Sequence, residues 1–303
     1  MNINHKEITN MCLKISVVTV CYNMAQYIEA TIKSVLSQGY PNLEYIVIDG
    51  GSTDGTQQII ERYKDQLAYY ISESDNGMYD AICKGFGKVT GDILAWINAD
   101  DIYMPWTLQT VNEVFSSYPE IQWLGGKYAF LGEDGLLSQI FPKTSIKAQK
   151  DISKGWCRSD VLGPLQQESM FWRKELYILS GGLDTSYKYA GDFELWTRFA
   201  KYASLTKIDI PLAAFRRRST SLSKAGKDKY DSEVEKVIKN KQRFPNILWR
   251  MLHKSGVFVQ LLRILRYRKG EILFYNMKTQ KLTKKSVLCN SSNHTFQSLK
   301  LYG

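Results

Sequence analysis

The sequence predicts an α/β fold, with a mostly parallel sheet flanked by helices and a basic, mainly helical C-terminal region. Three observations carry that prediction. β-Branched runs that read as buried strands alternate with segments of helical spacing. Polar and acidic residues follow the ends of those runs. Charge is unevenly divided: in a chain of net charge +10, twelve Lys or Arg from Arg243 onward stand against one acid, Glu271.

The elements follow in order. "KISVVTVCYN" is a strand ending in polar residues, and "AQYIEATIKSVLSQ" places Ile28, Ile32, Val35 and Leu36 at helical spacing before Gly39 and Pro41. "LEYIVID" is a second buried strand. "GGSTDGT" is a turn in which Thr53 or Asp54 can cap the helix "TQQIIERY". "LAYYISE" is a third strand and "GMYDAICKGFGKV" the next helix. "DILAWI" is a fourth strand, "PWTLQTVNEVFSSY" a helix, "IQWLGGKYAFL" a strand and "LGEDGLLS" a hairpin turn. Alternation of this kind implies crossover connections and parallel pairing. In such sheets ligands bind beyond the carboxyl ends of the strands. "TVCYN", "DGGSTDG", "ESDN" and "NADD" are therefore expected to share one crevice.

Composition narrows the function. A chain of 303 residues, 44% hydrophobic and 23% charged, suits one large globular domain or two smaller ones. The polar start "MNINHKEITNMCLK" does not read as a signal peptide, and no apolar run reaches the roughly 18 residues of a membrane-spanning helix. The five cysteines show no metal-like pairing and read as reduced thiols. His5, His253 and His294 lie outside the motif-rich region, which argues against a histidine zinc site or triad. The expected division is an extension at 1–13, a catalytic domain at 14–225 and a basic helical region at 226–303.

The crevice offers acids (Asp49, Asp75, Asp80, Asp100, Asp101), an aromatic (Tyr22) and small hydrogen-bonding groups (Thr19, Asn23, Ser52). It lacks the glycine-rich turn of a dinucleotide fold and the lysine-bearing loop of a phosphate-cradling NTPase. Carboxylates alone do not hold a diphosphate. A hard divalent cation, Mn²⁺ or Mg²⁺, would bridge the two.

"VVTVCYNMAQYIEATIKSVLSQGYPNLEYIVIDGGSTDGT", "SDNGMYDAICKGFGKVTGDILAWINADD" and "AGDFELWTRFA" together resemble the family 2 glycosyltransferases of the GT-A fold. The resemblance runs from about 14 to 222 and implies an inverting enzyme that moves a sugar from a nucleotide diphosphate donor to an acceptor hydroxyl. "SDNGMYDAICKG" and "NADD" are similar to the branch found in bacterial surface-polysaccharide clusters. By the resemblance, Thr19 and Tyr22 lie beside the base, and Glu29 faces it from the next helix. Asp49 hydrogen-bonds the pyrimidine ring, with Ser52 behind it. Asp75 and Lys84 flank the segment that closes over the nucleotide. Asn98 takes the first place of the D-x-D region and suits a ribose hydroxyl, so the metal falls to Asp100 with Asp101 second. Asp192 matches the family's general base, with Gly191 where another acid is usual. Arg218, with Arg216 as alternative, stands where relatives often carry histidine and suits the leaving diphosphate. Gln167, Glu168 and Gly182 border the acceptor and donor sugar. UDP is the favoured nucleotide.

Plainer roles compete at single positions. Asp49 and Ser52 suit a turn, Asp192 suits a helix N-cap, and the three arginines suit a solvated strand end. Two other functions compete for the whole: a nucleotidyltransferase that makes the nucleotide sugar, and a non-catalytic binding subunit. In the tail, "NILWRMLHKSGVFVQLLRILRYRKGEILFY" interleaves apolar and basic residues as membrane-surface helices do. Packing on the body or on a second copy of the chain is the alternative. No nucleic-acid motif accompanies the charge. Together these features imply a cytoplasmic enzyme held peripherally at the inner face of the cell membrane, acting on a glycan or lipid-linked glycan.

Overall fold

The computed structural model describes residues 12–142, 144–158, 161–218, 226–239, 268–276, 279 and 281–289. The chain opens β1 (Ile15–Cys21), α1 (Ile28–Leu36), β2 (Leu43–Asp49), α2 (Thr56–Glu61), β3 (Tyr69–Ser72), α3 (Met78–Phe86) and β4 (Ile93–Asn98). It continues through β5 (Ile102–Tyr103), α4 (Thr107–Ser117), β6 (Trp123–Lys127), β7 (Ala129–Leu131), β8 (Leu137–Ile140) and α5 (Gln149–Ser153). Then come β9 (Met170–Arg173), α6 (Lys174–Leu179), α7 (Gly191–Tyr202), β10 (Leu205–Pro211), β11 (Ala213–Arg216), α8 (Lys227–Lys239), β12 (Arg268–Asn276) and β13 (Lys281–Cys289).

Among the described residues the main sheet runs β13-β12-β10-β6-β9-β4-β1-β2-β3, and a smaller one runs β5-β11-β7-β8. In the main sheet β9 and β13 pair antiparallel and the other pairings are parallel. This is the expected mostly parallel α/β architecture. Strand alternation splits the core between two faces. On β1, Ile15 and Val17 pack toward α1 and α4 with Ile28, Ile32 and Leu108, while Val18 and Val20 face Ile82, Trp96 and Trp196.

The second face anchors the helix that carries the candidate base. Trp196 of α7 stacks on Trp96 of β4 with ring centroids 5.6 Å apart, and on Trp123 of β6 at 5.7 Å. Trp172 of β9 meets Trp96 edge-on at 5.3 Å. Trp196→Ala is expected to cost roughly 3–5 kcal/mol through the cavity it leaves. A chemical-denaturation midpoint measures the loss, and a shift smaller than that of a surface substitution would contradict it.

Two elements differ from the sequence reading. "IQWLGGKYAFL" is two strands, β6 and β7, in different sheets. A Cβ on Gly126 would lie 2.9 Å from Leu212, so the chain leaves the main sheet where only glycine fits that approach. The second difference lies in the basic C-terminal region. Residues 227–239 are helical as expected, but β12 and β13 form a hairpin that extends the sheet beyond β10. Ile272 and Leu273 of β12 are fully buried on opposite faces of that extension, which a surface helix would not require. The apolar-basic segment at 243–266 lies outside the described residues. No helix among the described residues is long and apolar enough to cross a membrane.

Candidate active site

Parallel pairing brings the carboxyl ends of β1, β2, β3 and β4 to one edge, and the candidate residues gather there. Asp49 ends β2 fully buried. Its carboxylate accepts the Ser52 N–H at 2.9 Å and the Ser72 hydroxyl at 2.5 Å, and also the Ser52 hydroxyl. Ser52 in turn accepts the Asn23 N–H at 2.7 Å, and the Asn23 side chain accepts the Thr53 N–H at 2.9 Å. These bonds lock the loops after β1 and β2 together. Tyr22, in the first loop, is 60% exposed and offers an open ring face. Asp75 lies over the turn that follows Asp49, where a Cβ on Gly50 would meet its carboxylate at 2.6 Å. Lys84 of α3 ties down the same segment through Glu73 at 2.8 Å and the Ser74 carbonyl at 3.2 Å.

The end of β4 forms the second group. Asn98 through Asp101 make a turn closed by the Asp101 N–H to the Asn98 carbonyl at 3.1 Å. The Asp100 carboxylate accepts both Arg218 Nε at 2.7 Å and Arg218 Nη2 at 2.6 Å. Asp101 is fully buried. One of its oxygens accepts the Arg216 N–H at 2.8 Å and the other has no hydrogen-bond partner, nor has the buried Asn98 Oδ1. Burial, with Asp100 and Glu168 close by, holds the Asp101 carboxyl well above the usual carboxylate range. A crowd of acids with an orphaned oxygen suits a cation. Mn²⁺ and Mg²⁺ typically take one or two carboxylates and complete their shell with water and substrate phosphate. Asp100 with Asp101 fits that donor set, although the described residues contain no cluster of three or more His, Cys, Asp or Glu.

Asp192, the second residue of α7, forms the third group. The Tyr79 hydroxyl lies 3.1 Å from Asp192 Oδ1 and accepts the Asp192 N–H at 3.2 Å. Burial raises the Asp192 pKa, while the bonds from the Phe193 N–H and Tyr79 pull it back. The helix N-cap is Ala190, so Asp192 does not fill the capping role that competes for it in the sequence.

The sequence and the fold are similar to those of known proteins. Residues 16–159 match the family described as Glycosyl transferase family 2. The chain is 26% identical over 258 residues to an uncharacterised glycosyltransferase of Haemophilus influenzae, covering 83% of this chain and 78% of that one. It is 35% identical over 108 residues to another from Nostoc sp., covering 35% of this chain and 34% of the relative. Its fold resembles Staphylococcus aureus TarS residues 1–349 in complex with UDP-GlcNAc, with TM-score 0.55, 19% identity and coverage of 69% and 60% of the two chains. It also resembles Mycobacterium tuberculosis glucosyl-3-phosphoglycerate synthase in complex with Mn²⁺, UDP and phosphoglyceric acid. There the TM-score is 0.54, the identity 18%, and the coverage 92% and 88%. The fold is GT-A-like.

The other expected residues have the following surroundings. Thr19 lies in β1, fully buried, with its hydroxyl 2.9 Å from that of Tyr45. Strand alternation turns it into the sheet. Glu29 is engaged beside α2, with Tyr63 at 2.7 Å, Lys33 at 3.0 Å and Arg62 at 3.4 Å. Arg216 is 4% exposed and bonds the Asp100 carbonyl through Nε at 2.7 Å, so it braces the acid turn. Arg218 is the cation presented to Asp100. Gln167 gives its amide to the Trp96 carbonyl at 2.6 Å. Gly182, at φ +69°, ends the turn after α6 against Tyr177. Glu168 is 2% exposed, and burial pushes its pKa up to about 8, offset in part by the Lys207 charge. Burial pushes Lys207 down to about 7.

The structure also adds residues that the sequence reading passed over. Tyr79 sits within "SDNGMYDAICKG". A Cβ on Gly191 would lie 2.9 Å from its ring, so the missing acid before Asp192 leaves room for Tyr79. Tyr27 lies under both arginines, 5.1 Å from Arg216 and 5.0 Å from Arg218. No local pattern marks it, because both partners come from residues almost two hundred positions away.

Proposed function

We propose that the chain is an inverting glycosyltransferase that moves a sugar from a nucleoside diphosphate donor, with UDP favoured, to an acceptor hydroxyl. The observation that carries this reading is the pairing of Asp100 with Arg218 at the end of β4, together with a held, half-buried Asp192 at the start of α7. Tyr22 and Asp49 would receive the base, with Ser52 and Asp75 fixing the loops around it. Asn98 would face the ribose. A divalent cation would be held by Asp100, with Asp101 second, and would supply positive charge to the departing diphosphate. Arg218 would swing from Asp100 to a phosphate oxygen, as a guanidinium fork serves either acceptor. Asp192 would take the acceptor's proton as its oxygen attacks the anomeric carbon and the bond to the diphosphate breaks. A thermal-shift panel of UDP-, GDP- and dTDP-sugars tests the donor class. UDP-sugars should raise the melting temperature most, because a ligand stabilises the state it binds. No shift with any nucleotide sugar would overturn the reading.

The acceptor reading follows the charge. We infer that the basic segment from about 243 docks the enzyme on the anionic inner face of the cell membrane, where a lipid-linked glycan of bacterial polysaccharide synthesis would be reached. Each Lys or Arg near an anionic leaflet contributes ~1 kcal/mol. The full chain should float with liposomes containing anionic lipid, bind less at high salt and fail to bind neutral vesicles. Failure to float at low salt would assign the segment to packing on the body or on a second copy.

A further inference from the structure

We propose that Tyr79 and Glu233 are positioning residues for the transfer, holding from two sides the turn that delivers Asp192. The inference rests on the reading of Asp192 as general base. The turn before α7 presents three consecutive N–H groups to one side chain. Lys188 N–H bonds Glu233 Oε1 at 2.9 Å, and the Tyr189 and Ala190 N–H groups bond Oε2, each at 2.8 Å. Glu233 belongs to α8, beyond the residues that match the family, so a helix of the C-terminal region fixes the backbone entering the helix of the proposed base. Bonds to a charged acceptor are stronger than neutral ones, and here one carboxylate satisfies three backbone donors.

Tyr79 holds the other side. Its hydroxyl accepts the Asp192 N–H at 3.2 Å, and its single proton has two acceptors, Asp192 Oδ1 at 3.1 Å and the Tyr189 carbonyl at 3.2 Å. The ring is 3% exposed and pressed on Gly191. The hydroxyl can therefore donate to the carboxylate while Asp192 is a base, and turn to the carbonyl once Asp192 has taken the acceptor's proton. Other titratable groups face Asp192 or its turn. They are Glu168 from the turn before β9, Tyr230 and Lys229 from α8, Cys157 from the loop after α5, and Glu194 on α7 itself. Tyr79 donates to the carboxylate. Losing it should leave the charged form less stabilised against burial and raise the base's pKa.

The test measures UDP release from UDP-glucose, UDP-galactose and UDP-N-acetylglucosamine, with water as acceptor, and UDP affinity by calorimetry. Tyr79→Phe and Glu233→Gln should each lower kcat by roughly 10- to 100-fold with UDP affinity unchanged, as misplacement of a reacting group does. Only Tyr79→Phe should also move the acid limb of the kcat profile to higher pH. If Tyr79→Phe does not fold, Glu233→Gln carries the test, and retained kcat there overturns the proposal. So does Tyr79→Phe with kcat within about twofold of wild type and an unmoved acid limb, provided Asp192→Asn is inactive. Activity of Asp192→Asn would instead overturn the base reading itself.

Discussion

Asp192→Asn is expected to keep UDP affinity and to lose transfer by roughly 10²- to 10⁴-fold, the contribution of a positioned general base. Asparagine keeps the shape of the side chain and still accepts from Tyr79, so the turn is preserved. What disappears is the site for the proton. The pH dependence follows from the same geometry. Burial raises the Asp192 pKa, and the base works only as the carboxylate. Activity is therefore complete above that raised pKa and is lost as pH falls through it, at a higher pH than for an exposed aspartate. Matched pH profiles of kcat and of UDP binding check this. A proportional loss of UDP affinity in Asp192→Asn would make the residue a donor ligand.

Asp100→Ala is expected to lower donor affinity by roughly 100-fold or more in Mn²⁺ or Mg²⁺ and to remove the difference that chelator makes. The substitution takes away the proposed metal ligand and also frees Arg218 from its ion pair. Those two effects oppose each other, because an unpaired guanidinium beside the diphosphate partly replaces the lost cation. Asp100→Ala should thus retain weak, metal-independent UDP binding, and Arg218→Ala added to it should abolish that residue of affinity. Calorimetry with and without Mn²⁺ separates the two contributions. Full wild-type activity in excess chelator would end the metal assignment to Asp100.

The fold was legible because its signals are local. Val17, Val18, Ile46 and Ile97 lie in short apolar runs, and the helix spacing of Ile28, Ile32 and Val35 is intact. The placing of polar residues at strand ends follows from parallel topology, so the positions of Asp49, Ser52, Asn98 and Asp100 at one edge of the sheet were legible. What escaped depends on pairing over long sequence distances. Thr19 fits a loop by motif, but the pleat of β1 sends its hydroxyl to Tyr45. Glu233 looks like a solvated helix acid until the turn at 188–190 is brought against it. The hairpin β12–β13 was hidden because Lys and Arg spaced along a helix face also suit an edge strand, where charge discourages further pairing.

The central claim is best tested by following the anomeric proton of a UDP-sugar by NMR as the enzyme releases UDP into water. For an α-linked donor the account predicts that the first sugar product is the β anomer, formed together with UDP. Nucleophilic attack opposite the leaving diphosphate requires that inversion. Release of the α anomer, formation of sugar 1-phosphate with UTP when pyrophosphate is supplied, or binding without turnover would contradict it.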